Sequence, residues 1–159
     1  LSQKKIEFRR MTEAEFVRYS ETSVEDYAHS IARNFVRPIE ETRIEARQQV
    51  KNLLKQGVHT KGHHMFAVID KYTGDEVGSV WVYVDDGKKQ AFLYDITITT
   101  HHRRKGYGCA VMESLEQVAK RMNATSIALH VFADNSATIR LYQKQGYRTA
   151  SFNMHKELS

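Results

Sequence analysis

Residues 96–112 read ITITTHHRRKGYGCAVM, and the rule that governs the chain changes within them. Up to Thr100, aromatic and β-branched residues continue a strand that starts near Gln90. Beyond Gly108, Ala110, Val111, Ser114, Leu115, Val118, Ala119 and Met122 recur every three or four residues, which predicts a helix over about Tyr107 to Met122. Between the two stand Arg103, Arg104, Lys105, Gly106 and Gly108. Glycines let a backbone turn tightly and come close to a ligand. The first turn of a helix offers unpaired N–H groups at the positive end of the dipole, and together these make an anion site. A basic run before a helix is also what an ordinary solvated face looks like, so the rest of the chain has to decide.

Upstream, Lys4 to Arg9 alternates as a short strand, and Thr12 with Glu15 has the spacing of a helix-starting capping box. Phe16, Val17, Ser20, Val24, Tyr27, Ala28, Ile31, Ala32 and Phe35 form an amphipathic stripe behind it, with a break expected near Glu21 to Ser23. Pro38 disfavours helical geometry at Arg37, and a second stripe follows with Ala46, Val50, Leu53 and Leu54. Met65 to Asp70 and Glu76 to Val84 read as a hairpin joined through Thr73, Gly74 and Asp75, and Asp85 to Gly87 turns into the third strand, Gln90 to Thr100. Downstream, a strand is expected over Ser126 to Ala133 and a helix over Asn135 to Gln145, closed by Gly146. A last strand is expected over Tyr147 to Leu158, with Tyr147, Ala150 or Phe152, and Met154 facing inward. The fold class is therefore α/β, a mixed and mostly antiparallel sheet flanked by about four helices.

A length of 159 residues with 41% hydrophobic and 27% charged residues suits one globular domain over 1–159, and excludes disordered and fibrous architectures. The longest hydrophobic runs, Met65 to Ile69 and Val80 to Val84, are far short of the ~20 residues that cross a bilayer. The start, Leu1 to Arg10, lacks a signal-peptide core, and the single cysteine, Cys109, forms no intrachain disulfide, so a cytoplasmic protein without membrane contact is expected. A net charge of +5 suits an anionic ligand and is too small for a protein that coats nucleic acid.

The segment Ile98-x-Thr100-x-x-Arg103-x-x-Gly106-x-Gly108, with Ala110 behind it, resembles the acetyl-coenzyme A signature of the Gcn5-related N-acetyltransferase (GNAT) family. A second block, Asn135, Ala137, Leu141, Tyr142, Gly146 and Tyr147, is similar to that family's downstream helix. Signature (about 96–112) and second block (about 135–147) stand at the family's separation; Thr100 departs from it, since many relatives carry proline there. The resemblance implies an acetyl-CoA-dependent N-acetyltransferase acting on a primary amine by direct attack. It implies that the pyrophosphate lies on Arg103, Arg104, Lys105, Gly106, Tyr107, Gly108 and Cys109. The pantetheine arm pairs with Ile96, Thr97 and Ile98, where a strand N–H faces the thioester carbonyl, and Asn135 and Tyr142 complete the cofactor site.

The same resemblance makes Tyr142 the acid that protonates the departing thiolate, and a free phenol, titrating near ~10, is protonated at neutral pH for that task. A packed core aromatic is the alternative. Family members often carry a basic carboxylate on the strand before the signature, where the only acid here is Asp95. Simple alternation groups Asp95 with Leu93, Thr97 and Thr99, opposite Tyr94, Ile96 and Ile98. Asp95 is thus either the base or an aspartate bonded to local backbone. Cys109 is read as a small residue at a helix start rather than a nucleophile. The pairs His63–His64 and His101–His102 lack metal-ligand spacing, so no metal is assigned; His63 and His64 stand at the start of a central strand, where one could reach the acceptor cleft, and are read instead as ordinary loop residues. Small-molecule and peptide amines both remain open as acceptors, as do monomer and homodimer. Two rivals stand beside this reading: a non-catalytic acyl-CoA sensor or scaffold, and an RNA-binding module using His101 to Lys105, which the glycines and modest charge disfavour.

Overall fold

The computed structural model describes residues 3–159. Strand β1 (Ile6–Arg10) leads into two helices, α1 (Glu13–Phe35) and α2 (Ile39–Leu53). Three antiparallel strands follow, β2 (His63–Asp70), β3 (Glu76–Asp85) and β4 (Gln90–Ile98), then α3 (Tyr107–Arg121), β5 (Ser126–Leu129) and α4 (Ser136–Lys144). The strands form one sheet in sequence order, antiparallel from β1 to β4 and parallel between β4 and β5.

The capping box is formed: the Thr12 hydroxyl accepts from the Glu15 N–H, and the Glu15 carboxylate accepts from the Thr12 N–H at 3.0 Å and from Arg9. With its start so fixed, α1 runs unbroken through Glu21 to Ser23, where a break was expected. It ends at Val36, which takes a left-handed conformation before Pro38 opens α2.

The sheet is covered on both faces. On one, valines of β2 and β3 with Ala91 and Leu93 pack against Ala110, Val111, Met112, Leu115 and Ala119 of α3. On the other, Met65 and Trp81 with Tyr94 pack against Phe16 and Tyr19 of α1, Val50 of α2 and Leu54. Burying these side chains against two helical layers supplies the main favourable term of folding. Gly78 marks a close approach, because a Cβ there would collide with the Thr97 carbonyl across the β3–β4 ladder.

Two departures from the expected fold matter for function. Trp81 pairs with Asp95 and Val82 with Leu93, so Tyr94 is an extra residue and β4 carries a β-bulge. The bulge inverts the alternation. Leu93, Ile96 and Ile98 all belong to the α3-side core, whereas Tyr94 joins the α1 side with Asp95, so the expected grouping of Asp95 with Leu93 does not hold. The second departure is at the C-terminus. Residues 147–158 form no strand, with Phe152 and Met154 exposed, and β5 stops at Leu129 rather than Ala133.

Candidate active site

β4 and β5 pair only over Gln90–Leu93 and Ser126–Leu129. Beyond Leu93, at the bulge, they part, and residues 95–98 keep β3 as their one ladder partner. The Thr99 N–H donates to the Val77 carbonyl, so strand alternation turns the N–H groups of Ile98 and Ile96 toward the unpaired edge. The Ile98 carbonyl on that edge accepts from Arg103 Nε at 2.8 Å, which folds this cation back onto the strand end. Arg104 and Lys105 remain exposed.

A short 3-10 turn, Thr100–His102, then leads to Gly106, the N-cap of α3, at a φ of 90° that side-chain-bearing residues rarely adopt. No side chain caps this helix. Its first-turn N–H groups, at Tyr107, Gly108 and Cys109, have no acceptor within the helix and open beside the splayed strands. Gly108 leaves room for Leu141 of α4, whose Cδ2 would stand 3.0 Å from a Cβ there. Cys109 is partly exposed in the same turn.

The hairpin turn after β2 holds this loop in place, which the sequence did not disclose. The buried Tyr107 hydroxyl donates to Asp70 Oδ2, while Asp70 Oδ1 accepts from the N–H groups of Tyr72 at 2.7 Å and Thr73 at 3.1 Å. The Tyr107 bond, with the two N–H donors, holds the Asp70 carboxyl below the usual carboxylate range, and the same bond pushes the Tyr107 phenol up to about 12. Lys4 lies over the Tyr107 ring, 5.0 Å from its centroid.

On the α1 face, Asp95 Oδ2 accepts from the Tyr19 hydroxyl at 2.8 Å and from Thr97 Oγ1 at 3.1 Å. Oδ1 has no protein partner among the described residues and reaches solvent. Burial raises the Asp95 carboxyl above its ordinary range, outweighing the two hydrogen bonds that favour the charged form, and the nearby Asp26 charge raises it further. Tyr19 is held protonated by burial and by the Asp95 charge. Sequence periodicity passed over Tyr19, which lies 76 positions from the carboxylate it touches.

Asn135 caps α4, accepting from the Thr138 N–H at 3.4 Å. The preceding residue, Asp134, is gripped by Arg33 at 2.9 Å and Asn34 at 3.0 Å, which ties the start of α4 to the end of α1. Tyr142 of this helix is 7% exposed, with its ring centroid 5.8 Å from that of Tyr147. Its hydroxyl makes no protein hydrogen bond yet keeps contact with solvent. Burial raises its pKa well above that of a free phenol, and the Asp95 charge is the next cause. The two candidate side chains therefore stand within electrostatic reach of one another. Neither His63 nor His64 is a loop residue: both lie in β2, and buried His63 Nδ1 accepts from Trp81 Nε1 at 3.0 Å amid Tyr83 and Tyr94. Burial lowers the pKa of His63, so its ring is neutral and belongs to the core. Among the described residues no group of three or more His, Cys, Asp or Glu side chains is placed to hold a metal, and no helix is long and apolar enough to cross a membrane.

A mixed sheet that opens between its fourth and fifth strands, next to an uncapped helix start behind Gly106, defines the class of the protein as an acetyltransferase. The chain belongs to the acetyltransferase (GNAT) family, whose model matches residues 23–147. It is 29% identical over 150 residues to the uncharacterized N-acetyltransferase YdgE of Bacillus subtilis (strain 168), covering 93% of this chain and 95% of that protein. The crystal structure of Bacillus subtilis YycN superposes with a TM-score of 0.92 at 27% identity, covering 98% of this chain and 99% of that one. The spermidine N-acetyltransferase of Vibrio cholerae, solved with CoA and spermine, shares the fold with a TM-score of 0.61 at 16% identity over 89% of this chain and 79% of its own.

Proposed function

We propose that the protein transfers an acetyl group from acetyl-CoA to a primary amine by direct attack. The observation that carries this reading is the unpaired edge of β4 at Ile96 to Ile98, which runs into the uncapped first turn of α3. An extended pantetheine arm can add to that edge as a strand, and the pyrophosphate then meets the α3 N–H groups with Arg104 and Lys105 beside it. Asn135, at the start of α4, faces the same arm in this reading.

The chemistry follows from the proton positions. An amine reaches the site as its ammonium form, drawn by Asp95 and Asp26, and must lose a proton to attack. Asp95 Oδ1 accepts that proton directly or through one water, helped by a pKa raised toward neutrality. The amine nitrogen bonds to the thioester carbon, and the carbonyl oxygen takes the electron pair under the Ile96 or Ile98 N–H. Collapse breaks the carbon–sulfur bond and the thiolate takes the Tyr142 proton, while the nitrogen gives up its second proton, which returns through water to the Tyr142 oxygen. The neutral amide and free CoA result, and Asp95 then releases its proton to solvent. Protonation of Asp95 removes one of the two main causes that hold the Tyr142 pKa high, so the base strengthens the acid within the same turnover. A sensor that only held acyl-CoA would have no use for a carboxylate of raised pKa beside a phenol free of partners.

The test is titration with acetyl-CoA followed by an amine panel scored by thiol release, on the native chain and on Tyr142→Phe. Native protein is expected to bind and turn over. Tyr142→Phe is expected to bind acetyl-CoA as tightly and to lose roughly 100-fold in kcat, the lower range for loss of a general acid. Binding without turnover across the panel would favour the sensor, and no binding by folded protein would remove the reading.

A further inference from the structure

On the α1 side of the sheet lies a cavity of about 800 Å³, a volume that holds a small organic molecule. Tyr27, Ile31 and Phe35 of α1 form one wall, and His130 and Phe132, just past β5, form the other. Two observations connect this cavity with Asp95. Tyr19, Ser23 and Tyr27 follow one another at helical spacing, so the near wall of the cavity lies about 12 Å along α1 from the Tyr19–Asp95 hydrogen bond. On the strand side, His130 directly follows Leu129, whose partner Leu93 stands two residues before Asp95.

The walls are rings. The Phe132 centroid lies 6.0 Å from that of Tyr27 and 4.8 Å from that of His130, and Phe35 lies 5.7 Å from His155. The Tyr27 hydroxyl donates to Gln49 Oε1 of α2 at 2.8 Å, so its polar end is satisfied away from the strand wall. The charges around the cavity are taken as well. Arg37 holds Glu45 at 2.6 Å, Arg33 holds Asp134 at 2.9 Å and Arg43 holds Glu25 at 2.7 Å, while Glu157 lies out on the exposed rim. Asp95 and Asp26, close enough for the Asp26 charge to raise the Asp95 carboxyl, belong to no ion pair among the described residues.

Resting on the acetyl-transfer reading above, we propose that the acceptor is a primary monoamine carried on an aromatic or long apolar body, with its ammonium at Asp95 and Asp26 and its body along Tyr27, Ile31 and Phe132 in the cavity. A ring placed there packs against other rings, which adds to the gain from buried area alone. A second ammonium at the same depth would lose its water and find no free carboxylate, because Glu45 is already held by Arg37. The cavity therefore selects against polyamines through an unpaired charge as much as it selects for apolar bodies through contact. Arg37 sets this specificity from outside the reacting centre, by occupying Glu45.

Phenethylamine, hexylamine and hexamethylenediamine, the last two alike in length and different in charge, test this at saturating acetyl-CoA. Both monoamines are expected to exceed the diamine by roughly tenfold or more in kcat/KM. Phe132→Ala should raise the KM for phenethylamine roughly tenfold against a much smaller change in kcat. Arg37→Gln, which releases Glu45, should narrow the gap by raising kcat/KM for the diamine several-fold, an effect that loss of packing would not produce. Should either variant fail to fold, NMR on native protein loaded with CoA decides: phenethylamine should shift the ring signals of Phe132 and Tyr27, and hexamethylenediamine should leave them in place. Ring signals that phenethylamine does not move would overturn the proposal. A diamine acetylated as fast as hexylamine would also overturn the acceptor class, while leaving the transfer reading standing. Ring shifts without thiol release from any amine would instead keep the ligand class and remove the transfer reading.

Discussion

The molecule contains two aspartate–tyrosine pairs, and they are tuned in opposite directions. Asp70 meets Tyr107 and two backbone N–H groups, its charge is fully partnered, and its pKa falls. Asp95 meets Tyr19 and Thr97 on one oxygen only, burial outweighs those bonds, and its pKa rises. A carboxylate with both oxygens hydrogen-bonded is a clamp, because moving a proton onto it would break the bonds that place it. One with a free oxygen and a penalised charge is ready to take a proton, and such perturbed groups gather at functional sites. The same two residue types therefore pin the loop before α3 in one place and, in the proposed reaction, face the acceptor in the other.

Substitution of each aspartate should break this comparison in a different observable. Asp95→Asn is expected to cost roughly 100- to 10,000-fold in kcat, the range for general acid–base groups, with acetyl-CoA binding retained. Its thermal midpoint at neutral pH should stay level or rise, since the ionised carboxylate is the form that burial penalises. Asp70→Asn is expected to act the other way round, lowering the midpoint and raising the KM for acetyl-CoA several-fold while kcat changes little. The sign with pH is fixed by linkage. The folded pKa of Asp70 lies below its unfolded value, so its stabilisation is present above the unfolded pKa and is lost as pH falls through the folded one. The midpoints of native protein and Asp70→Asn should converge in acid, and a gap that stays constant to low pH would show that Asp70 is not a clamp.

The frame of the fold was legible because it is written in local patterns. Thr12 and Glu15 predicted the start of α1, the valine-rich runs predicted β2 and β3, and Gly106 marked the turn into α3. What escaped was set by contacts distant in sequence. The extra residue at Tyr94 follows from how β4 fits β3, and nothing in the run of β4 itself marks a bulge. Tyr19 and Asp70 matter through partners 76 and 37 positions away, and the pattern of either helix or hairpin alone gives them no distinction. Asp70 did carry one signal, an aspartate at the mouth of a turn, where its oxygen caps the N–H groups of Tyr72 and Thr73. The C-terminal alternation predicted a strand over Tyr147 to Leu158 that the structure does not form, because residues 148–158 make no backbone hydrogen bond to a neighbouring strand and Phe152 and Met154 stay exposed.

Tyr19→Phe gives the finest test, because it alters Asp95 without touching its chemistry. The Tyr19 hydroxyl donates to the charged carboxylate and so opposes the rise that burial causes. Removing the hydroxyl leaves Thr97 as the one opposing donor, so the Asp95 pKa should climb further. The acidic limb of kcat/KM, which reports the base in the free enzyme, should then move to higher pH, while the rate on the plateau falls little. A purely structural Tyr19 would instead lower the rate equally at every pH. The direction of the limb therefore separates tuning of the base from support of the fold, and a limb that moved to lower pH would mean that Asp95 does not carry the titration.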